Sequence, residues 1–171
     1  GGEVHLLVAG KDCGPVAEAA AKVQGVSRVL RVEHDAYRHP LAEDLAALVV
    51  ALAGPYEHLV APSTTFGKNV TPRVAALLDV AQVSDVVDVL GPGTFKRYVY
   101  AGNALATVES LDTKRVLTIR TTAFPAAAAE GGNAAVDTVA AVEPTALAEL
   151  VGREVSRSAR PDLGSARVIV S

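Results

Sequence analysis

The chain has 171 residues and a formal net charge of −3, enough length for one domain with its own core. Its charges are interspersed and form no basic patch, which excludes a nucleic-acid partner. Half of the residues are hydrophobic, only 4% are aromatic, and Trp and Met are absent, so the core is built from Ala, Val and Leu. The lone cysteine, Cys13, cannot form an internal disulfide and fits a reducing compartment. No stretch reads as a signal peptide or is long enough to span a bilayer. Both ends, Gly1-Gly2 and Val170-Ser171, read as cut, so a piece of a longer protein is expected.

In chain order, a buried strand is predicted from Val4 to Val8, ending at Gly10, and then a helix over 14–23 with Pro15 in its first turn. A second strand is predicted near Val29 to Glu33. The next helix has Pro40 at its start, Glu43 and Asp44 in its first turns, and Gly54 as its stop. A third strand is predicted over Glu57 to Ala61. A helix follows over 68–79, with Asn69 or Thr71 as its cap and Pro72 at its start. Short apolar strands alternating with helices argue for a parallel sheet covered on both faces, joined by right-handed crossovers.

The pattern changes after Ser84. A strand at 85–90, two strands around Gly102-Asn103 and another from Arg115 to Thr121 read as an antiparallel addition near residues 94–121. Residues 126–165, rich in Ala, Gly and Pro, read as a connector with a short helix at Ala146 to Leu150. Arg167 to Val170 reads as a further strand.

The stretch Thr65-Phe66-Gly67-Lys68-Asn69 raises the question of a phosphate loop. A Walker A loop needs a glycine five positions before Gly-Lys and a Ser or Thr after it. Pro62 and Asn69 occupy those positions, so a simple strand-to-helix join is the favoured reading. The alternative is a free-standing adenine-nucleotide-binding module or hydrolase that uses Thr65 to Asn69. His34, Asp35 and His39 cluster without the spacing of a metal site. Cys13 and Ser63 are candidate nucleophiles, but neither has a base partner or a nucleophile elbow. "YAGNA", Tyr100 to Ala104, and "RTTAF", Arg120 to Phe124, read either as turns or as a contact surface of residue types enriched where proteins touch.

Three ordered motifs, "FGKNVTPRVAALLDVAQVSDV", "YAGNALATV" and "VLTIRTTAF", resemble the amino-terminal domain of the electron-transfer flavoprotein α subunit, over nearly the whole chain. The resemblance implies a three-layer αβα sandwich with a mostly parallel, Rossmann-like sheet, related to nucleotide-binding folds but without a nucleotide of its own. It divides the chain into an α/β domain at 1–125, a connector at 126–165 and the first strand of a following domain at 166–171. FAD is expected in that following domain, AMP in the β subunit, and no cofactor within this chain. The family's first strand and helix would precede Gly1. The implied partners are the β subunit of a heterodimer, acyl-CoA and other flavin dehydrogenases, and a membrane quinone oxidoreductase. The implied role is that of an electron carrier linked to fatty acid oxidation, not a catalyst, in bacterial cytoplasm or a mitochondrial matrix. No catalytic, cofactor-binding or metal-binding residue is expected in this chain. Phe66, Lys68, Asn69, Arg73, Tyr100, Asn103 and Arg120 are expected on or near the face that meets the β subunit or the flavin domain.

Overall fold

The computed structural model describes residues 2–154 and residue 168. Their elements run β1 (His5–Gly10), α1 (Gly14–Ala21), β2 (Arg28–Glu33), a 3₁₀ turn (Asp35–Tyr37), α2 (Ala42–Leu52), β3 (His58–Pro62) and α3 (Thr65–Leu77). They continue with β4 (Gln82–Gly91), β5 (Thr94–Val99), β6 (Ala104–Glu109), β7 (Arg115–Ile119) and β8 (Ala135–Thr138). Of the expected strand at 167–170, all but Val168 lies outside the described residues.

The strands form two hydrogen-bonded ladders. One is β1-β2-β8, parallel throughout. The other is β3-β7-β4-β5-β6, in which β7 runs parallel to both β3 and β4 while β4-β5-β6 is an antiparallel meander. The architecture is α/β and consistent with an αβα sandwich, but the sheet is mixed and not mostly parallel. The antiparallel part is β4 to β6. β7, read from sequence as part of it, inserts between β3 and β4 in the parallel sense, as Leu59↔Val116 and Val83↔Leu117 show.

One apolar cluster joins the two ladders. Val32 of β2, Leu45 and Leu48 of α2, Val70 and Val74 of α3 and Val116 of β7 bury together. On the opposite face, Ala17 and Ala21 of α1 meet Val29. Their small side chains let the helix lie close to the strand. Val83, Val86, Phe95 and Leu117 form a third cluster with Phe124 packed on it. Successive residues of one strand, Val116 and Leu117, thus serve opposite faces.

The segment read as a connector belongs in part to this fold. β8 pairs with β2 in register Val29↔Val136. Gly132 N–H donates to Lys22 O and Ala134 N–H to Ala21 O, satisfying carbonyls at the end of α1. A Cβ on Gly132 would sit 2.3 Å from Val23 O, so the glycine is required by this close approach. Further on, buried Asp44 accepts hydrogen bonds from Thr145 N–H at 2.7 Å and from Thr145 Oγ1 at 2.9 Å. β8 is four residues in low-complexity surroundings, and only its pairing with β2 makes it a strand.

The short helix expected at Ala146 to Leu150 does not form. Ala146 has φ +52°, a left-handed conformation that no helix interior contains. Leu147 and Val151 are exposed, so no packed face rewards helix formation.

The carboxyl end of α2 is closed by a side chain from another loop. Lys114 Nζ donates to the carbonyls of Ala53, Gly54 and Tyr56 at 2.8, 2.9 and 2.8 Å, where the helix dipole favours a cation. Replacing Lys114 with Met should destabilise the fold by about 2 kcal/mol, read from urea unfolding. A change within about 0.5 kcal/mol would show these contacts to be dispensable.

Candidate functional site

At the carboxyl ends of β3 and β7, a polar cluster forms beside the first turns of α3. Its centre is Asp85, which sits at φ +58° in an irregular stretch of β4, where the pairing with β7 shifts register between Val83 and Val86. Asp is among the few residues that tolerate this conformation. The bulge is held at its base by Thr118, fully buried, whose Oγ1 accepts from Asp85 N–H at 2.8 Å. Arg120 N–H donates to Val86 O at 2.9 Å.

The turn aims the carboxylate at Arg120. Nε of Arg120 donates to Asp85 Oδ2 at 3.1 Å, and a second guanidinium nitrogen also donates to the same oxygen. The guanidinium lies over the Tyr98 ring, 5.3 Å from its centroid, in a cation–π contact. The Arg120 hydrogen bond holds the Asp85 carboxyl below the usual carboxylate range, against the effect of burial, with Ser63, the Arg120 charge and Lys68 adding to it. Ser63 Oγ itself has no partner in hydrogen-bonding geometry. The Arg120 pKa is raised, chiefly by its bond to Asp85. A shallow depression of about 440 Å³ opens beside the cluster, lined by Lys68, Pro72, Gln82, Ser84, Asp85 and Arg97.

The stretch read as a glycine-lysine loop is helical. α3 begins at Thr65 with Thr64 as its cap, not at Lys68 with Asn69 or Thr71. Thr64 Oγ1 accepts from Gly67 N–H at 3.2 Å, and Lys68 N–H donates to Thr64 O at 2.9 Å. Thr71 is interior, donating its hydroxyl to Gly67 O at 2.8 Å. Pro72 sits inside the helix. A Cβ on Gly67 would lie 2.0 Å from Pro62 O, so the glycine lets the helix start against the strand end. A phosphate loop needs free amides around an open cradle. Here Thr64 takes two of them and Pro62 O fills the space beside Gly67, so the described residues of this stretch do not fit a nucleotide pyrophosphate.

The predicted interface residues do not gather at one place. Lys68 and Arg120 both belong to the Asp85 cluster. Phe66 is half-exposed and lines a separate apolar cleft. Arg73 donates to Glu43 at 2.8 Å and ties α3 to α2. Tyr100, 81% exposed, and Asn103 lie in the turn between β5 and β6, with Asn103 N–H bonded to Tyr100 O at 3.1 Å. Asn69 is exposed on α3. Sequence reasoning missed Asp85, Tyr98 and Arg97. The one available signal was Asp85 interrupting the apolar run after Val83, because a bulge has no sequence signature of its own.

The remaining chemical candidates have structural roles. His34 Nδ1 accepts from Ala36 N–H at 3.2 Å and caps a 3₁₀ turn, and Asp35 pairs with Lys11. Among the described residues, no group of three His, Cys, Asp or Glu could hold a metal ion. Cys13 is buried with its sulfur against Val8 O and Val32 O. No helix among the described residues is long and apolar enough to cross a membrane.

Residues 1–144 match the family described as electron transfer flavoprotein domain. The chain belongs to the electron transfer flavoprotein family. It is 53% identical over its whole length to the electron transfer flavoprotein subunit alpha of Pseudomonas aeruginosa, and 52% identical over 99% of its length to that of Paracoccus denitrificans. Over 98% of its length it is 43% identical to the mitochondrial alpha subunit of Dictyostelium discoideum. It covers 55%, 55% and 52% of those chains, so this electron transfer flavoprotein domain spans about half the length of the relatives it matches.

The Asp85 pKa is lowered in the folded state, so the group contributes stability that is complete above its ordinary value of 3.8. That contribution is lost as pH falls through the folded pKa. Asp85→Asn should therefore cost about 1 kcal/mol near pH 7, after allowance for solvent screening. The gap from wild type should close below pH about 4. Asp35, also held low by Lys11, titrates in the same window in both proteins and cancels in the difference. Denaturant unfolding across pH reads the effect, and a gap that does not change with pH would contradict it.

Proposed function

We propose that this chain is the docking half of an electron transfer flavoprotein alpha subunit, a scaffold that holds the beta subunit and supports a flavin domain located outside it. The observation that carries this reading is an uncovered face on the antiparallel part of the sheet. Tyr98 and Leu105 are cross-strand partners, 40% and 52% exposed. They stand three residues from the inward-packed pair Phe95, buried, and Val108, partly buried, and so point to the opposite face. Arg120 stacks on Tyr98, and Tyr100 protrudes from the adjoining turn. Aromatic residues and arginine held rigidly at a surface are the residue types that dominate binding energy between proteins.

In this reading Asp85 fixes the Arg120 guanidinium in place, so little side-chain freedom is lost on docking. FAD, bound by the part of the subunit beyond this chain, supplies the redox chemistry, and protein contacts supply its placement. AMP, where a nucleotide is present, belongs to the beta subunit. Electrons arrive from acyl-CoA and other flavin dehydrogenases and leave to a membrane quinone oxidoreductase. The setting is bacterial cytoplasm, or the mitochondrial matrix in a eukaryote. The tether towards the flavin domain begins after Thr145, the last residue bonded back to the fold by Asp44.

Tyr100→Ala combined with Arg120→Ala should weaken assembly with the beta subunit by about thirtyfold or more, at least the scale of one interface hot spot. Thermal melts verify folding, and titration calorimetry or co-purification reads the affinity. Unchanged affinity of a folded double variant would remove this face from the interface.

A further inference from the structure

α3 and β5 each carry two basic residues, Lys68 and Arg73 on the helix, Lys96 and Arg97 on the strand. One of each pair is neutralised within the fold. Arg73 donates to Glu43 at 2.8 Å, and Lys96 donates to Asp88 at 3.0 Å. The other two, Lys68 and Arg97, line the shallow depression beside Asp85. Among the described residues, neither has a carboxylate in ion-pair contact. Asp85 is taken by Arg120, and Lys68 acts on it only through space. Two positive charges thus face the depression uncompensated, in a chain whose formal net charge is −3.

Arg97 is partly buried, and its Nε is shielded from solvent without an acceptor. A guanidinium desolvated in this way gains more from a carboxylate than a fully hydrated one does. Its partly buried stem also limits the side-chain freedom that binding would remove. Gln82 and Ser84 add neutral hydrogen-bonding groups to the lining. The depression is open, which suits a protruding side chain better than an enclosed ion. The Gly67 and Lys68 amides at the start of α3 are engaged by Thr64. The depression also adjoins the face that carries the docking reading. Arg97 precedes Tyr98 on β5, and Asp85, which lines the depression, holds Arg120 over the Tyr98 ring.

We propose that this depression is a socket for an acidic side chain of the beta subunit, a Glu or Asp whose carboxylate pairs with Lys68 and Arg97. The inference rests on the docking reading of the Tyr98 face and adds the chemistry of the group received. Tyr98, Tyr100 and Arg120 supply contact area, while the socket supplies charge complementarity, which fixes register and rejects partners that place a cation there. Asp85 has a defined part in this. Paired with Arg120, it leaves Lys68 and Arg97 free for the incoming carboxylate.

The test is titration calorimetry of the purified beta subunit with the chain at about 50 mM and about 500 mM NaCl. Lys68→Glu reverses a charge at an exposed helix position and leaves the core untouched. It should weaken assembly about thirtyfold at low salt, and the loss should shrink severalfold at high salt, where charges are screened. Arg97→Gln should weaken assembly with the same salt dependence, and Arg97→Lys, which keeps the charge, should lose less. Wild-type affinity of the folded Lys68→Glu chain would overturn the proposal, as would a loss that does not change with salt. Tyr100→Ala separates the socket from the docking reading, because Tyr100 lies in the turn after β5 and outside the lining of the depression. Binding weakened by Tyr100→Ala but unchanged by Lys68→Glu removes the socket and keeps the docking face. A wild-type chain that does not bind the beta subunit removes both. Inorganic phosphate that raises the melting temperature of the wild-type chain but not of Lys68→Glu, with beta-subunit affinity equal in the two, would assign the depression to a free anion and overturn the proposal.

Discussion

Side-chain packing beneath α2 and α3 holds the two ladders of this protein together, because no backbone ladder does. Val32 reaches this cluster from one ladder and Val116 from the other, with Leu45, Leu48, Val70 and Val74 between them. Closely packed interiors transmit small displacements, so the position of α3 against the strand ends is set by this core. Gly67 allows that position, since its hydrogen stands where a methyl group would strike Pro62 O. The other local features of the site are built on α3 and on the ends of the strands it covers.

Two consequences follow for chemistry. First, α3 starts close against β3, with Thr64 accepting from the Gly67 and Lys68 amides and Pro62 O beside Gly67, so its first turn does not form an open phosphate loop. A loop that looks half like a phosphate binder is a packing device. Second, the register shift in β4 turns Asp85 outward at a backbone conformation that costs free energy, and Thr118 and Arg120 hold it there. The product is a fixed guanidinium on an aromatic ring at the surface, suited to recognition and lacking any nucleophile–base pair.

The alternating elements from β1 to α3 were legible in the sequence because period, Pro and Gly signals agree within each of them. What was not legible depends on distant partners. The start of α3 was placed late, at Lys68, because Pro72 suggests a first turn, whereas the Thr64 cap and the Gly67 contact put it at Thr65, three residues earlier. β7 was read as antiparallel because its neighbours in sequence are, but its partners are β3 and β4. β8 has only "AVDT" and is a strand through β2 alone. Lys68 and Arg120 could be picked as unusual polar residues in an apolar chain. Asp85, which brings them together, could not, because its role comes from a bulge.

The division of labour is the central claim: this half of the subunit docks and positions, and the flavin is held elsewhere. Sequence identity above 50% to alpha subunits sets the family, while the packed α3 terminus and the bare Tyr98–Leu105 face support the role. The most direct measurement is the visible absorption spectrum of the purified 171-residue chain after incubation with FAD and desalting. The account predicts a colourless protein. Stoichiometric retained flavin, with its yellow absorption, would place a cofactor site within these residues and contradict it.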